Sequence, residues 1–377
     1  MIKRNLLLFL VICITFIGGF LTGTRFPHED SQNISNSELP QSSVHTEQKQ
    51  IPRFKETKEK VLLGYLQDYR DPSMVPYRDL THVIFSFAHP TNDGGLLLNG
   101  EMAEQNLTTV VSKAHEADTK AILAIGGWYN IQGGESYPYF REAISSAEKR
   151  TRFIKEINKI VDQENLDGID IDFEHPRTLE DARNLATFMK DLNQTLDQKN
   201  KELSIAVSAK VHSVAGTELN NVIYDPEMFQ VVDHVNIMAY DGQWDGEYNA
   251  ANLSPYSFNE NIVNYWIRLF EENQLPKEKL VLGIPSYGQP EDPSIKQVSY
   301  AAIIAQNPQN ANSDRMNLNG TVYHYNGTAA VRQKAELALS HGFGGMMLWE
   351  VGLDAKGPNS LIETLAKEIH LEKLAKK

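Results

Sequence analysis

Three carboxylates stand two residues apart in the stretch Asp167-Gly168-Ile169-Asp170-Ile171-Asp172-Phe173-Glu174. On a strand, residues two apart share a face, so Asp170, Asp172 and Glu174 point one way and Ile169, Ile171 and Phe173 the other. Like charges a few ångströms apart in a poorly solvated site repel by roughly several kcal/mol unless they take up protons. That coupling raises the pKa of at least one member and keeps a carboxylic acid protonated near neutral pH, ready to donate to a leaving oxygen. Glu174, last in the run, is the natural donor. A solvated edge strand shows the same alternation, and a divalent cation would use the same oxygens. The apolar partners between the acids favour a central, buried strand over an edge. With no twelve-residue calcium loop and no His pair at metal spacing beside the acids, no metal and no cofactor are expected.

Such a face has to be positioned by other elements, and short apolar runs recur on both sides of it. Eight can be read: Val61 to Tyr65, His82 to Phe87, Lys120 to Ile125, Gly168 to Phe173, Leu203 to Ser208, His234 to Ala239, Leu280 to Pro285 and Gly345 to Trp349. Helical periodicity fills several intervals, as in Arg152 to Val161, Ala182 to Leu196, Ile262 to Leu269 and Ala329 to Leu339. Alternation of this kind predicts an α/β fold, and eight strands predict closure into a TIM (β/α)8 barrel. The interval before the last strand exceeds one crossover helix, so Gln289 to about Gly327 is expected to form a small insertion between strands 7 and 8, walling a cleft.

The acidic stretch resembles, at every defining position, the signature of family 18 glycoside hydrolases, the chitinase family. Ile125-Gly126-Gly127-Trp128 is similar to the end of that family's third-strand motif, Met238-Ala239-Tyr240-Asp241 to its sixth and Gly345-Met346-Met347-Leu348-Trp349 to its eighth. The likeness spans about Val61 to Asp354. It implies a retaining mechanism in which the substrate's own N-acetyl group is the nucleophile, an exception to the two-carboxylate scheme. By the same resemblance Glu174 is the acid/base, Asp172 holds the acetamido nitrogen with Asp170 behind it, and Tyr240 orients the acetamido carbonyl. Trp349 is a stacking floor for a sugar ring, and Asp241, Met238, Tyr65, Tyr287, Gly127 and Trp128 are further substrate-side candidates, with Trp244 another loop tryptophan. The family often carries Ser at the position of Ala124, where a hydroxyl helps to hold the buried aspartate; alanine cannot do this, so the pH optimum does not carry over. The insertion looks shorter than the subdomain of processive chitinases, and a shallower groove is expected. Chitin or chitooligosaccharides are the expected substrate. An endo-β-N-acetylglucosaminidase with a different groove remains open, and a glycan-binding lectin on the same barrel is disfavoured by the presence of Glu174.

A net charge of −13 in 377 residues argues against a nucleic-acid partner. The partner expected is an N-acetylglucosamine-containing glycan, and the chain is expected to act as a monomer. Lys3 and Arg4 precede an apolar run from Leu6 to about Leu21, so residues 1–24 read as an export signal or a retained membrane anchor. Either places the body outside the cytoplasm, secreted or held at the outer face of the cell membrane. Residues 25–54 are polar and lack sustained period, a flexible linker, and 55–377 form the catalytic domain. The single cysteine, Cys13, lies in the apolar run, so the body must hold together by packing without disulfides.

Overall fold

The computed structural model describes residues 60–220 and 222–369. The expected N-terminal signal or anchor and linker lie outside the described residues. Among the described residues no helix is long and apolar enough to cross a membrane.

Eight parallel strands form the frame: β1 (Val61–Gln67), β2 (His82–Pro90), β3 (Lys120–Gly126), β4 (Gly168–Asp172), β5 (Glu202–Ser208), β6 (His234–Met238), β7 (Leu280–Pro285) and β8 (Gly345–Trp349). Each pairs with its sequence neighbours, and β1 pairs with both β2 and β8, which closes the barrel. All eight expected strands are present, with ends within a few residues of the apolar runs that signalled them.

Alternation along the strands divides the apolar residues into two cores. Val61, Leu63, Tyr65, Ile84, Ile122, Ala124, Val281 and Met347 point into the barrel. Leu62, Leu66, Val83, Phe85, Ile169, Ile171, Leu203 and Ile205 point outward and pack under the helices. Helices Gly100–Glu116, Ala147–Glu164, Leu179–Asp197, Tyr256–Glu272 and Thr328–Ser340 cover that outer face. Two crossovers depart from the regular pattern. Among the described residues, β1 and β2 are joined only by the 3-10 turns Pro72–Met74 and Tyr77–Asp79, and β5 and β6 only by the single-turn helix Met228–Val231. The stretch before that helix, Val211 to Asn220, folds back through a bridge between His212 and Glu218.

The insertion between β7 and β8 is a four-stranded sheet built of antiparallel pairs, in the order Val298–Ser299, Tyr287–Pro290, Thr321–His324, Arg315–Leu318, with the helix Tyr300–Gln306 beside it. It begins two residues after β7 ends, so its first strand continues from the rim of the barrel.

Candidate active site

The acidic stripe runs up the inside of β4. Ile169 and Ile171 are fully buried on its outer face, and Phe173 stacks on Phe140 with ring centroids 4.7 Å apart and on Tyr137 at 5.8 Å. The chain then turns into the helix Leu179–Asp197 through a capping box between Thr178 and Asp181. Asp181 also receives the Tyr137 hydroxyl at 3.0 Å, and the Arg177 guanidinium sits 4.0 Å over the Tyr137 ring. Glu174 is therefore held between an aromatic stack and a capped helix start, two restraints that limit the motion of its backbone.

Asp170, the deepest of the three acids, is fully enclosed by donors. Oδ2 accepts from the Tyr65 hydroxyl at 2.8 Å; Oδ1 accepts from Ser204 Oγ at 2.6 Å and Asn236 Nδ2 at 3.1 Å. Burial pushes its pKa up to about 6, against the pull of these three hydrogen bonds toward the ionised form. Asp172 lies above it. Burial and then the charges of Glu174 and Asp170 raise its pKa, and its Oδ1 is buried without a hydrogen-bond partner among the described residues. Such an oxygen is costly to leave unsatisfied, and a ligand N–H could satisfy it. Glu174, where the stripe reaches the rim, has its pKa pushed up to about 7, first by burial and then by the Asp241 and Glu135 carboxylates. It can therefore be protonated at neutral pH while facing open space.

That space is a cavity of about 640 Å³ at the C-terminal end of the barrel, with Asp172, Glu174, Tyr240, Asp241 and Trp349 in its lining. Tyr65, Met238, Ala206, His175, Trp128 and Trp244 complete it. The Trp349 indole stacks on Phe87 at 5.8 Å and 29° and leans on Tyr65 at 5.6 Å. Ser286 pins the backbone beneath it, its hydroxyl donating to Glu350 O at 2.6 Å. Trp128 and Trp244 are more than half exposed at the margins, Trp128 edge-on to His175 at 5.2 Å. A neighbouring hollow of about 730 Å³ shares His175 and Trp244 with the cavity, extending the groove past one side.

Two expected substrate-side residues stand behind the wall instead of in it. Tyr287 is buried and donates its hydroxyl to Asp241 Oδ1 at 2.6 Å, fixing that carboxylate, which also accepts from Gln243 Nε2 at 3.1 Å. Gly127 donates its backbone N–H to Asp172 O at 2.9 Å, and a Cβ on it would lie 2.8 Å from the Phe87 ring. Its neighbour Gly126 has φ +123, and a Cβ there would come within 2.1 Å of Asp172 O. The glycine pair lets the end of β3 close on the carbonyl of a catalytic candidate, a backbone task that no side chain allows.

Sequence reading missed Ser204 and Asn236. Both occupy inward positions, Ser204 two residues after Glu202 on β5 and Asn236 two before Met238 on β6. Inward parity was the one signal available for them.

With this geometry in hand, comparisons place the chain. The profile described as "Glycosyl hydrolases family 18" matches residues 61–354. A "chitinase-like effector" of Moniliophthora roreri is 32% identical over 242 residues; that match covers 60% of this chain and 56% of the relative, so the chain spans little more than half of that protein. "Endochitinase 1" of Metarhizium robertsii is 24% identical over 360 residues, covering 81% of this chain and 82% of the relative. Among solved structures, a family 18 chitinase from the chitin utilization locus of Flavobacterium johnsoniae superposes with a TM-score of 0.68 at 26% identity, over 83% of this chain and 94% of that one. Barrel, acidic stripe and profile agree: the chain belongs to glycosyl hydrolase family 18.

Proposed function

We propose that this chain hydrolyses β-1,4-linked N-acetylglucosamine glycans, chitin or chitooligosaccharides, with retention of anomeric configuration and with the substrate's acetamido group as nucleophile. The observation that carries this reading is the pairing of a protonatable Glu174 at the cavity wall with the unpartnered Oδ1 of Asp172 beneath it.

A sugar ring seated on the Trp349 indole presents its apolar C–H face to the ring and leaves its polar edge to the carboxylates. The acetamido carbonyl oxygen attacks the anomeric carbon of its own sugar as the glycosidic oxygen leaves with the Glu174 proton. Positive charge then develops on the acetamido group. Asp172 Oδ1 accepts the acetamido N–H and stabilises that charge, while Asp170 beneath it shares the proton demand of the pair. Tyr240 lines the same cavity and donates to the acetamido carbonyl. Water opens the oxazolinium ring, giving its proton to the now ionised Glu174 and its oxygen to the anomeric carbon from the face the leaving group vacated. The cycle closes with the acid reprotonated.

The groove that continues past His175 and Trp244 supports a substrate of several sugars. Product analysis on chitooligosaccharides and on an N-linked glycopeptide tests the assignment. Cleavage of the oligosaccharides supports it, whereas cleavage of the glycopeptide alone would make the chain an endo-β-N-acetylglucosaminidase. Binding with no cleavage of either would leave a glycan-binding lectin.

A further inference from the structure

At the opposite end of the barrel from the cavity, three strands begin with groups that can ligate a metal. His82 opens β2, Glu202 opens β5 and His234 opens β6. Their positions, 120 and 32 residues apart, give no local metal motif, but the barrel brings one nitrogen from each histidine and one Glu202 oxygen within 4.8 Å of one another. The two imidazoles meet edge to face at 5.3 Å. Gly168, which opens β4 between β3 and β5, has no side chain to fill the floor: a Cβ there would lie 2.5 Å from Glu202 O and 2.8 Å from Ile122 Cδ1.

The hydrogen bonds around His82 are compatible with a cation at Nε2. Thr81 Oγ1 accepts from Leu62 N–H at 2.9 Å, and its one proton can go to Leu62 O at 3.0 Å or to His82 Nδ1 at 2.8 Å. In the first arrangement the imidazole proton sits on Nδ1. That leaves the Nε2 lone pair facing Glu202 Oε2 at 2.9 Å, two electron-rich atoms that need a cation between them. Lys120 bonds the other carboxylate oxygen, Oε1. A proton on Nε2 would meet the need of this pair alone, but it gives nothing to His234, whose Nδ1 is buried with no hydrogen-bond partner among the described residues.

We propose that His82, Glu202 and His234 form a binding site for a divalent transition cation of the zinc type, a structural site at the barrel floor that ties β2, β5 and β6 together. Two imidazoles and a carboxylate are a common three-ligand set for zinc, with water completing four-coordination. Tetrahedral bonds of about 2.1 Å place ligand atoms roughly 3.4 Å apart, so on binding the Nε2–Oε2 pair at 2.9 Å opens by about half an ångström and the wider pairs, all within 4.8 Å, close by up to about 1.4 Å. The Thr81 hydroxyl against Nδ1 holds the His82 ring orientation, as outer partners do in metal sites. Glu202 is partly exposed and offers the way in.

The test uses the full chain, stripped with a chelator and titrated with zinc chloride by calorimetry. One zinc per chain is expected, with affinity weakened at least about tenfold in Glu202→Gln and in His234→Gln and unchanged in Glu174→Gln. Zinc should raise the melting temperature of the parent and not of the first two variants. If His234→Gln fails to fold, Glu202→Gln alone decides. Cobalt(II) in place of zinc should give the visible absorption of a four-coordinate nitrogen and oxygen site, lost in Glu202→Gln. Absence of stoichiometric binding, or binding undiminished in Glu202→Gln, overturns the proposal and assigns the charge between His82 and Glu202 to a proton. Loss of binding in Glu174→Gln would equally overturn it, by placing the ion among the acids at the other end. None of these readouts depends on glycan cleavage, so the proposal can fail without touching the catalytic reading.

Discussion

Ser204 Oγ donates to Asp170 Oδ1 at 2.6 Å from the position directly beside it in register on β5, while on β3 the register partner of Asp170 is Ala124. The hydroxyl that holds the deepest acid therefore comes from β5, on the opposite side of β4 from position 124. Asn236 and Tyr65 complete the cage, and the Asn236 amide also reaches the Tyr65 oxygen at 3.0 Å. The absence of a serine at position 124 does not leave Asp170 unheld.

Removing that hydroxyl should change the titration of the site before it changes the fold. Hydrogen bonds from Ser204, Tyr65 and Asn236 lower the pKa of Asp170 against the effect of burial. In Ser204→Ala the pKa rises, so the acidic limb of the kcat/KM profile should move to higher pH, with kcat/KM near neutrality down by about tenfold for the loss of one charge-assisted hydrogen bond. A pH profile of the variant beside the parent checks it; an unmoved acidic limb would remove Asp170 from the proton sharing.

The basic limb should report Glu174. Catalysis needs its proton, and with a pKa pushed up to about 7 the kcat/KM should fall as pH rises above about that value. The Asp241 carboxylate is a cause of the upward shift, second to burial. Asp241→Asn therefore lowers the Glu174 pKa and should move the basic limb to lower pH, a shift readable in the same assay. A limb displaced upward would contradict the assigned coupling.

The same acid should cost stability. From its ordinary 4.5 up to about 7, the folded state holds a Glu174 proton that the unfolded chain has released. Fewer protons bound on unfolding means that stability falls as pH rises through this window and remains reduced above it, by about 3 kcal/mol at most for this group. Glu174→Gln removes the charge and keeps the shape, so its melting temperature should exceed that of the parent above pH 7 and match it near pH 4. Thermal melts at the two pH values decide this.

Trp349 should act on binding and not on protonation. Trp349→Ala removes the indole beneath the proposed sugar, and KM should rise by about tenfold, in line with roughly 1 kcal/mol or a little more for an aromatic stack, while the limbs of the pH profile stay in place. Kinetics on chitotetraose across pH separates the two effects.

The eight strands and the facing of Asp170, Asp172 and Glu174 were legible because both follow from alternation along a strand, a local property. Phe173, on the other face, enters the outer core as parity requires. What sequence reading could not supply depends on register between distant strands. Ser204 meets Asp170 and His82 meets Glu202 only once the barrel has closed with a particular stagger. Tyr287 and Gly127 were near the site in the chain and were read as substrate contacts, but the structure has them fixing Asp241 and the Asp172 carbonyl from behind.

The most direct test of the catalytic account is hydrolysis of chitotetraose by the parent and by Glu174→Gln, with the anomeric form of the first products read by proton NMR. The account predicts β-anomers from the parent and a fall in kcat of about 10² to 10⁴ in the variant, the range for loss of a positioned general acid. First products in the α form, or a variant that cleaves at the parent's rate, would contradict it.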